Sequence, residues 1–145
     1  MAIKLYFDKN VGLRLPEILA RLDMDVAWHA MPKSKLGVTG SAHNEPLFHP
    51  EESDDAWLAE VGRRGWIVFS HDRKFHTVGF ESELSAIKQH GVGCFYLWGG
   101  SAKKYEKAQC FFKAYDRILA AIESTPLPFI FDVQRSGRLK RVEIP

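Results

Sequence analysis

The sequence has few of the features that would place it in a specialised structural class. Only two of its 145 residues are cysteines, and no apolar run approaches the length that spans a bilayer. A disulfide framework and a transmembrane helix are therefore not expected. Because Cys94 lies in an apolar run and Cys110 lies on a predicted helix, we expect two buried, reduced thiols. The first residues form a strand pattern rather than a signal peptide, which predicts a cytoplasmic protein.

Several motifs of catalysis and ligand binding are also missing. Gly91 and Gly93 precede a predicted strand, and Gly99 and Gly100 lack the Walker lysine, so no phosphate-binding loop is present. There is no Gly-x-Ser-x-Gly nucleophile elbow. Six histidines are potential ligands, but none has the spacing of a zinc motif with a second histidine or a cysteine pair. The sequence therefore lacks the commonest motifs of nucleotide binding, of serine-hydrolase catalysis and of zinc binding.

The net charge of +2 is too small to indicate a nucleic-acid partner by itself. The basic residues nevertheless come in clusters: Lys33 and Lys35, Arg63 and Arg64, Arg73 and Lys74, Lys103 and Lys104, and finally Arg135, Arg138, Lys140 and Arg141. Each cluster alone is explained by a solvated surface. Several clusters would form a phosphate-binding surface only if the fold placed them on the same face of the protein.

Hydrophobic periodicity predicts alternating strands and helices. Strand patterns cover 2–7, 26–29, 66–70, 92–98, 129–133 and 139–144, and helical patterns cover 11–22, 53–65, 81–90 and 102–124. The first strand, helix and second strand form a βαβ unit, which requires parallel strands. Pro16 indicates either a helix that begins near Leu15 or an irregular first turn. The last two strands flank a turn at 135–138 and predict a β-hairpin. We predict one α/β domain over residues 1–145, with a functional loop at 30–52.

Three aspartates occupy equivalent places in this pattern. Asp8 follows the first strand, Asp54 begins a helix, and Asp72 follows the buried strand 66–70. The carboxyl ends of parallel strands share one edge of the sheet, where ligands are usually held. Clustered carboxylates repel one another unless a cation neutralises them, and oxygen ligands favour Mg²⁺ or Mn²⁺. Each acid alone is explained by a helix cap or a turn, but the three together favour a metal site.

The residues around these acids resemble PIN-like proteins. Phe7-Asp8-Lys9-Asn10-Val11 is similar to the Asp-Glu-Asn opening of that family, and the run from Asp54 to Arg73 is similar to its helix, strand and Thr/Ser-x-Asp turn. The branch of VapC-type toxins is the most similar, through Asp-x-x-Trp-Leu and Gly-Arg-Arg-Gly-Trp patterns and a similar tail near 128–139. The resemblance covers most of the chain, and residues 30–52 are covered least.

The resemblance implies a three-layer α/β/α sandwich around a mainly parallel sheet. It also implies a Mg²⁺- or Mn²⁺-dependent endoribonuclease, the toxin of a type II toxin–antitoxin pair. By position, the metal-binding and catalytic residues would be Asp8, Asp54 and Asp72, supported by Ser70, Asn10 and Asp55. Arg14, Arg73 and Lys74 lie near these acids in the sequence and are the candidates for RNA phosphate contacts. The expected partners are RNA, a cognate antitoxin and, as an open alternative, a second copy of the chain.

Two positions depart from the pattern of the family. Lys9 stands where Glu is common, and Lys74 stands where a further Asp is frequent. Fewer acids weaken metal affinity, although both lysines could hold substrate phosphate as point charges. Two alternatives to the ribonuclease therefore stay open: a PIN-like binding module without catalysis, and a small metal-dependent phosphatase.

Overall fold

The computed structural model describes residues 3–8, 11–12, 14–28, 54–71 and 81–144, and for residues 54, 55 and 81–83 it describes the backbone alone. The strands are β1 (Leu5–Phe7), β2 (Val26–Trp28), β3 (Ile67–Ser70), β4 (Gly93–Leu97), β5 (Phe129–Val133) and β6 (Leu139–Val142). The helices are α1 (Arg14–Arg21), α2 (Asp54–Arg64), α3 (Glu81–His90) and α4 (Lys104–Ser124). Each predicted strand and helix has a counterpart, with ends that differ by a few residues.

The described strands form one sheet in the order β2-β1-β3-β4-β5-β6. The first five strands pair in parallel, and β6 pairs antiparallel with β5. Every residue of β3 is buried, because helices cover both faces of a parallel sheet. This burial explains why Ile67, Val68 and Phe69 form a continuous apolar run rather than an alternating one. The predictions of a mainly parallel sheet and a C-terminal hairpin are confirmed.

Two hydrophobic clusters lie on opposite faces of this sheet. Phe7 and Phe69 face the first cluster, to which α1 contributes Leu19 and α4 contributes Phe111 and Ile118. On the other face, Tyr6 and Val68 pack with residues of α2 and α3, among them Trp57 and Ile87. Successive side chains of each strand therefore enter different clusters, as the period of two requires. The three-layer α/β/α arrangement is confirmed.

The ends of the helices follow from a few residues. Helix α1 begins at Arg14 and carries Pro16 in its first turn, where backbone N–H groups have no partner within the helix in any case. Gly65 and Gly91 follow α2 and α3 with φ values of 71° and 66°, the left-handed conformation that ends many helices. Both glycines therefore mark the ends of these helices, close to the ends that the helical patterns 53–65 and 81–90 predict.

The structure tests only some of the remaining sequence predictions. Cys94 and Cys110 are both buried and free, as expected. The functional loop predicted at 30–52 lies outside the described residues, as does His29 at the end of the second predicted strand. In the described part of the chain, no helix combines the length and the apolarity that crossing a bilayer requires.

Candidate functional site

The direction of the chain around the sheet changes between β1 and β3. After β1 the chain crosses to β2 on one side, whereas β3 pairs with the other side of β1. In open α/β sheets, the loops that leave two such strands diverge at their carboxyl ends and open a crevice that binds ligands. The candidate site is therefore the edge of the sheet where β1 and β3 end.

Asp8 is the first residue beyond β1 and lies at this edge. Its backbone N–H donates to the carbonyl of Phe69 at 2.9 Å, which continues the pairing of β1 with β3. Its own carbonyl accepts a hydrogen bond from the N–H of Val11 at 3.0 Å, so the chain turns immediately after the strand. The backbone of Asp8 is thereby fixed on both sides, and its half-buried carboxylate is delivered to the crevice.

Ser70 is the last residue of β3 and the neighbour of Asp8 across the sheet. Its side chain is 2% exposed, and its hydroxyl donates to Asp8 Oδ2 at 3.4 Å. This distance is long for an O–H donor, so the hydroxyl orients the carboxylate without binding it tightly. The sequence predicted a supporting role for Ser70 beside Asp72 or a water, and the described contact is with Asp8.

The other candidate residues are described to different extents. Helix α2 begins at Asp54, as predicted, but the side chains of Asp54 and Asp55 are not described. Outside the described residues lie Asn10, Asp72, Arg73 and Lys74, together with Lys9. Arg14 is exposed at the start of α1, where it lines a cavity with Lys104 and Lys107 of α4. Of the predicted site, the structure thus brings together Asp8 and Ser70 and places Arg14 at the same edge.

The charge of Asp8 acts on the interior of the sheet. Cys94 lies on β4 and packs in the same cluster as Tyr6 and Val68. Burial raises the pKa of the Cys94 thiol far above its ordinary value, and the negative charge of Asp8 raises that pKa further. Asp8 follows Tyr6 by two residues, and Tyr6 lies on the face covered by α2 and α3, so the period of two places Asp8 on that same face.

His71 follows Ser70 and has a structural contact. Its Nδ1 lies 2.9 Å from the carbonyl oxygen of Leu97, the last residue of β4. Because a carbonyl oxygen only accepts, Nδ1 carries the proton and donates it in this contact. The contact ties the residue after β3 to the end of β4, one residue before Asp72 in the sequence.

Sequence reasoning missed two polar residues in the row that begins with Ser70. Tyr96 of β4 is the register partner of Ser70, and Asp132 of β5 is the register partner of Tyr96. Partners in register point to the same face of a sheet, so these side chains extend the polar row across the edge. The sequence shows that Asp132 shares a strand face with Ile130, and Tyr96 with Cys94, because each pair is two residues apart. It does not show the order of the strands, which brings Tyr96 and Asp132 into one row with Ser70.

The donors in this site fit a hard divalent cation. A half-buried carboxylate and a serine hydroxyl supply oxygen atoms alone, which Mg²⁺ and Mn²⁺ prefer. Among the residues whose side chains are described, no group of three or more His, Cys, Asp or Glu side chains is arranged to hold a metal. The side chains of Asp54 and Asp72, the two further acids of the predicted set, are not among those described. Of the predicted metal ligands, the described side chains therefore include Asp8, and Ser70 is a predicted supporting residue.

Comparisons with known proteins identify the family but give no individual relative. A family model described as a PIN-like domain matches residues 3–99, which include β1, β3 and the candidate site between them. Neither the curated proteins nor the solved structures contain a match to the chain. The family match covers well over half of the 145 residues and includes the two strands that carry Asp8 and Ser70. On this match and on the α/β/α fold, the chain belongs to the PIN-like domain family.

Proposed function

We propose that the chain is a metal-dependent endoribonuclease that hydrolyses RNA phosphodiesters. The observation that carries this proposal is the position of Asp8, oriented by Ser70 at the point where the chain changes direction around the sheet. PIN-like domains are typically nucleases, which favours a hydrolase of this type. The position at the carboxyl edge matches the usual location of ligand sites in open α/β sheets.

The proposed metal ligands are Asp8, Asp54 and Asp72. A bound Mg²⁺ or Mn²⁺ would supply a nucleophilic water at neutral pH and neutralise charge on the phosphodiester. The Ser70 hydroxyl orients one carboxylate oxygen of Asp8, and the Asp8 backbone is held by its hydrogen bond to Phe69. A carboxylate that is already oriented requires less reorganisation when substrate binds.

Cationic side chains would position the phosphates of the RNA. Arg14 is exposed at the carboxyl edge, and Arg73 and Lys74 follow Asp72 directly in the sequence. Guanidinium and ammonium groups bind phosphate oxygens through charge-assisted hydrogen bonds. We assign these three residues to the phosphates that flank the scissile bond, while Asn10 and Asp55 support the acids.

The biological role we propose is that of the toxin in a type II pair. This assignment depends on the VapC-like sequence patterns near Trp57 and Trp66. It makes a cognate antitoxin the protein partner, and a homodimer is a second assembly that the proposal allows. A PIN-like binding module is the second candidate function, because Lys9 and Lys74 stand where the family pattern has acids.

Cleavage of labelled total RNA by purified protein tests the proposed activity. We expect discrete fragments with Mn²⁺ or Mg²⁺ and none with EDTA. Asp8→Asn and Asp72→Asn should each lower the cleavage rate at least about a hundredfold, since a metal ligand and a negative charge are lost. Circular dichroism checks that each variant is folded.

Asp116→Asn is the matched control, because Asp116 is exposed on α4 and lies outside the predicted site. It should cleave RNA at the wild-type rate. Equal cleavage by wild type and the Asp8 variant would overturn the mechanism, and absence of cleavage by folded wild type would favour the binding module. Hydrolysis of aryl phosphates without cleavage of RNA would instead identify a phosphatase.

A further inference from the structure

A second concave surface lies at the carboxyl edge, on the face covered by α4. It is a cavity of about 480 Å³ between the start of α4 and the turn that joins β5 to β6. Trp98, just beyond the end of β4, forms one wall, and Arg135 and Ser136 of the turn form another. Cavities of this size accommodate small organic groups. Of the residues predicted for the metal site, the two whose side chains are described, Asp8 and Ser70, do not line it.

The turn is held rigidly against α4. Gly137 has a φ of 85°, and a Cβ atom at this position would lie 3.2 Å from backbone atoms of Lys113. Arg117 of α4 donates to the carbonyl of Gly137 at 3.2 Å, and the N–H of Gln134 donates to the carbonyl of Arg138 at 2.9 Å. The wall that carries Arg135 is therefore preformed.

An aromatic ring and a guanidinium group already stack in this cavity. The guanidinium carbon of Arg135 lies 5.1 Å from the centre of the Trp98 ring, within the range of a cation–π contact. Trp98 is half-buried, and its apolar part packs against the cluster of α1 and α4. Aromatic faces and guanidinium planes are the surfaces on which proteins stack unpaired bases.

The rest of the lining is suited to a base and its phosphate. Gln109 and Ser136 supply neutral donors and acceptors, and Lys113 supplies a second cation. Glu106 is the acid of the cavity; it accepts from the Lys103 backbone N–H at 3.1 Å, and one of its oxygens lies 4.0 Å from Arg135. The combination of a planar stacking surface, amide and hydroxyl groups and two cations matches the chemistry of a nucleotide.

The charges continue along the same edge. The adjacent cavity between α1 and α4 is lined by Arg14, Lys104 and Lys107, with Glu17 as its acid. Arg14 and Lys104 in this cavity and Arg135 in the other thus all lie at the carboxyl edge of the sheet, on the side covered by α4. Two strand spacings, about 10 Å, separate β4 from β1 along the sheet.

We propose that the Trp98 cavity binds an unstacked base of a single-stranded RNA whose phosphodiester lies at Asp8. This proposal rests on the ribonuclease function proposed above and names a subsite for its substrate. The RNA strand would cross the edge of the sheet between the two helix layers. The base would stack on the Arg135–Trp98 pair, and Lys113 would contact its phosphate.

Tryptophan fluorescence measures this binding without any need for catalysis. Trp28, Trp57 and Trp66 are buried at 6%, 2% and 7% exposure, so quenching by a stacked base should come from Trp98. We expect a single-stranded RNA oligomer to quench the emission in EDTA, and Trp98→Phe to remove the quenching while the fold persists. Arg135→Ala should raise the Kd about tenfold, the effect of one lost stacking contact.

Arg141→Ala is the matched control, because Arg141 lies on β6 in a cavity at the opposite edge of the sheet. Its Kd should stay within about twofold of wild type. The proposal is overturned if no quenching occurs, if quenching persists in Trp98→Phe, or if both arginine variants bind equally. It is also overturned if a free mononucleotide, which carries the same base and phosphate, binds as tightly as the oligomer.

The cleavage assay and the fluorescence assay test the two proposals independently. Cleavage that depends on Asp8 without quenching at Trp98 would leave the ribonuclease intact and remove the subsite. Quenching at Trp98 without cleavage would keep the subsite and support an RNA-binding module instead.

Discussion

At the scale of single residues, Asp8 links the candidate site to the interior. Its carboxylate contacts Ser70 at the edge, and its charge raises the pKa of the buried Cys94 thiol on β4. A buried thiol beside a carboxylate resists ionisation, because the thiolate would be both desolvated and repelled. The pKa of the Cys94 thiol therefore depends on the charge of Asp8 at the candidate site.

This arrangement predicts how stability depends on pH. In the unfolded chain the pKa of a cysteine thiol is about 8.5, whereas burial raises the pKa of folded Cys94 well above that value. The unfolded state then binds fewer protons, so the free energy of unfolding is retained below about pH 8.5 and falls above it. The maximum slope for one thiol is about 1.4 kcal/mol per pH unit.

Urea unfolding from pH 7 to 10 in EDTA measures this slope. Cys94→Ala should flatten the decline above pH 8.5, although the smaller side chain lowers stability throughout. Burial also raises the pKa of Cys110, but the charge of Lys113 opposes that rise, so Cys110→Ala should change the slope less. An unchanged slope in Cys94→Ala would show that the thiol is not protected as described.

At the scale of elements, α2 and α3 are in close contact at Gly62. A Cβ atom there would overlap the backbone carbonyl of His90, the last residue of α3. Alanine favours a helix by about 1 kcal/mol relative to glycine, but overpacking against backbone costs about 1–3 kcal/mol and the helices would have to separate. Helix α2 begins at Asp54, so this contact lies on the helix that carries one of the predicted acids.

We therefore expect Gly62→Ala to lower the free energy of unfolding by about 1–2 kcal/mol, measured by urea denaturation. Gly65 provides the control, because it follows α2 with a φ of 71° and a Cβ there would meet no atom within 4 Å. Gly65→Asn should cost less than about 1 kcal/mol, because asparagine tolerates the left-handed conformation. Equal losses in the two variants would contradict close packing at Gly62.

The elements were predictable because each has a strong local signal. Residues 67–69 are apolar and β-branched or aromatic, and the glycines at 65 and 91 end the helices before β3 and β4. The start of α1 was ambiguous, because Pro16 is compatible with several positions in a first turn. Local patterns therefore located the elements well and their ends less well.

At the scale of the whole molecule, the order of the strands was the missing information. The approach of Asp8 to the end of strand 66–70 required β1 and β3 to be neighbours, and periodicity carries no information about neighbours. The parallel pairing of β1 with β3 supplies that condition, and the contact of Asp8 with Ser70 is its consequence. The same order brings Tyr96 and Asp132 into the polar row, which the sequence did not reveal.

The distribution of charge also becomes clear only in the assembled fold. A net charge of +2 is small, yet Arg14, Lys104 and Lys107 meet in one cavity although α1 and α4 are far apart in the sequence. Arg63, in contrast, bonds to Glu60 on its own helix, which raises the pKa of Arg63 and lowers that of Glu60. The basic cluster at residues 63–64 thus forms local ion pairs. The clusters that contain Lys104 and Arg135 contribute instead to the candidate RNA surface.

The central claim is that the β1–β3 edge holds a divalent cation through Asp8, and thermal unfolding with Mn²⁺ tests it most directly. A ligand at one hundred times its Kd stabilises the folded state by about 2.7 kcal/mol, which raises the Tm of a chain of this size by several degrees. We expect this rise for wild type and Asp116→Asn. For Asp8→Asn we expect no rise with Mn²⁺, and a Tm in EDTA at least equal to wild type because repulsion between the acids is relieved. A rise in Asp8→Asn equal to that of wild type would contradict the claim.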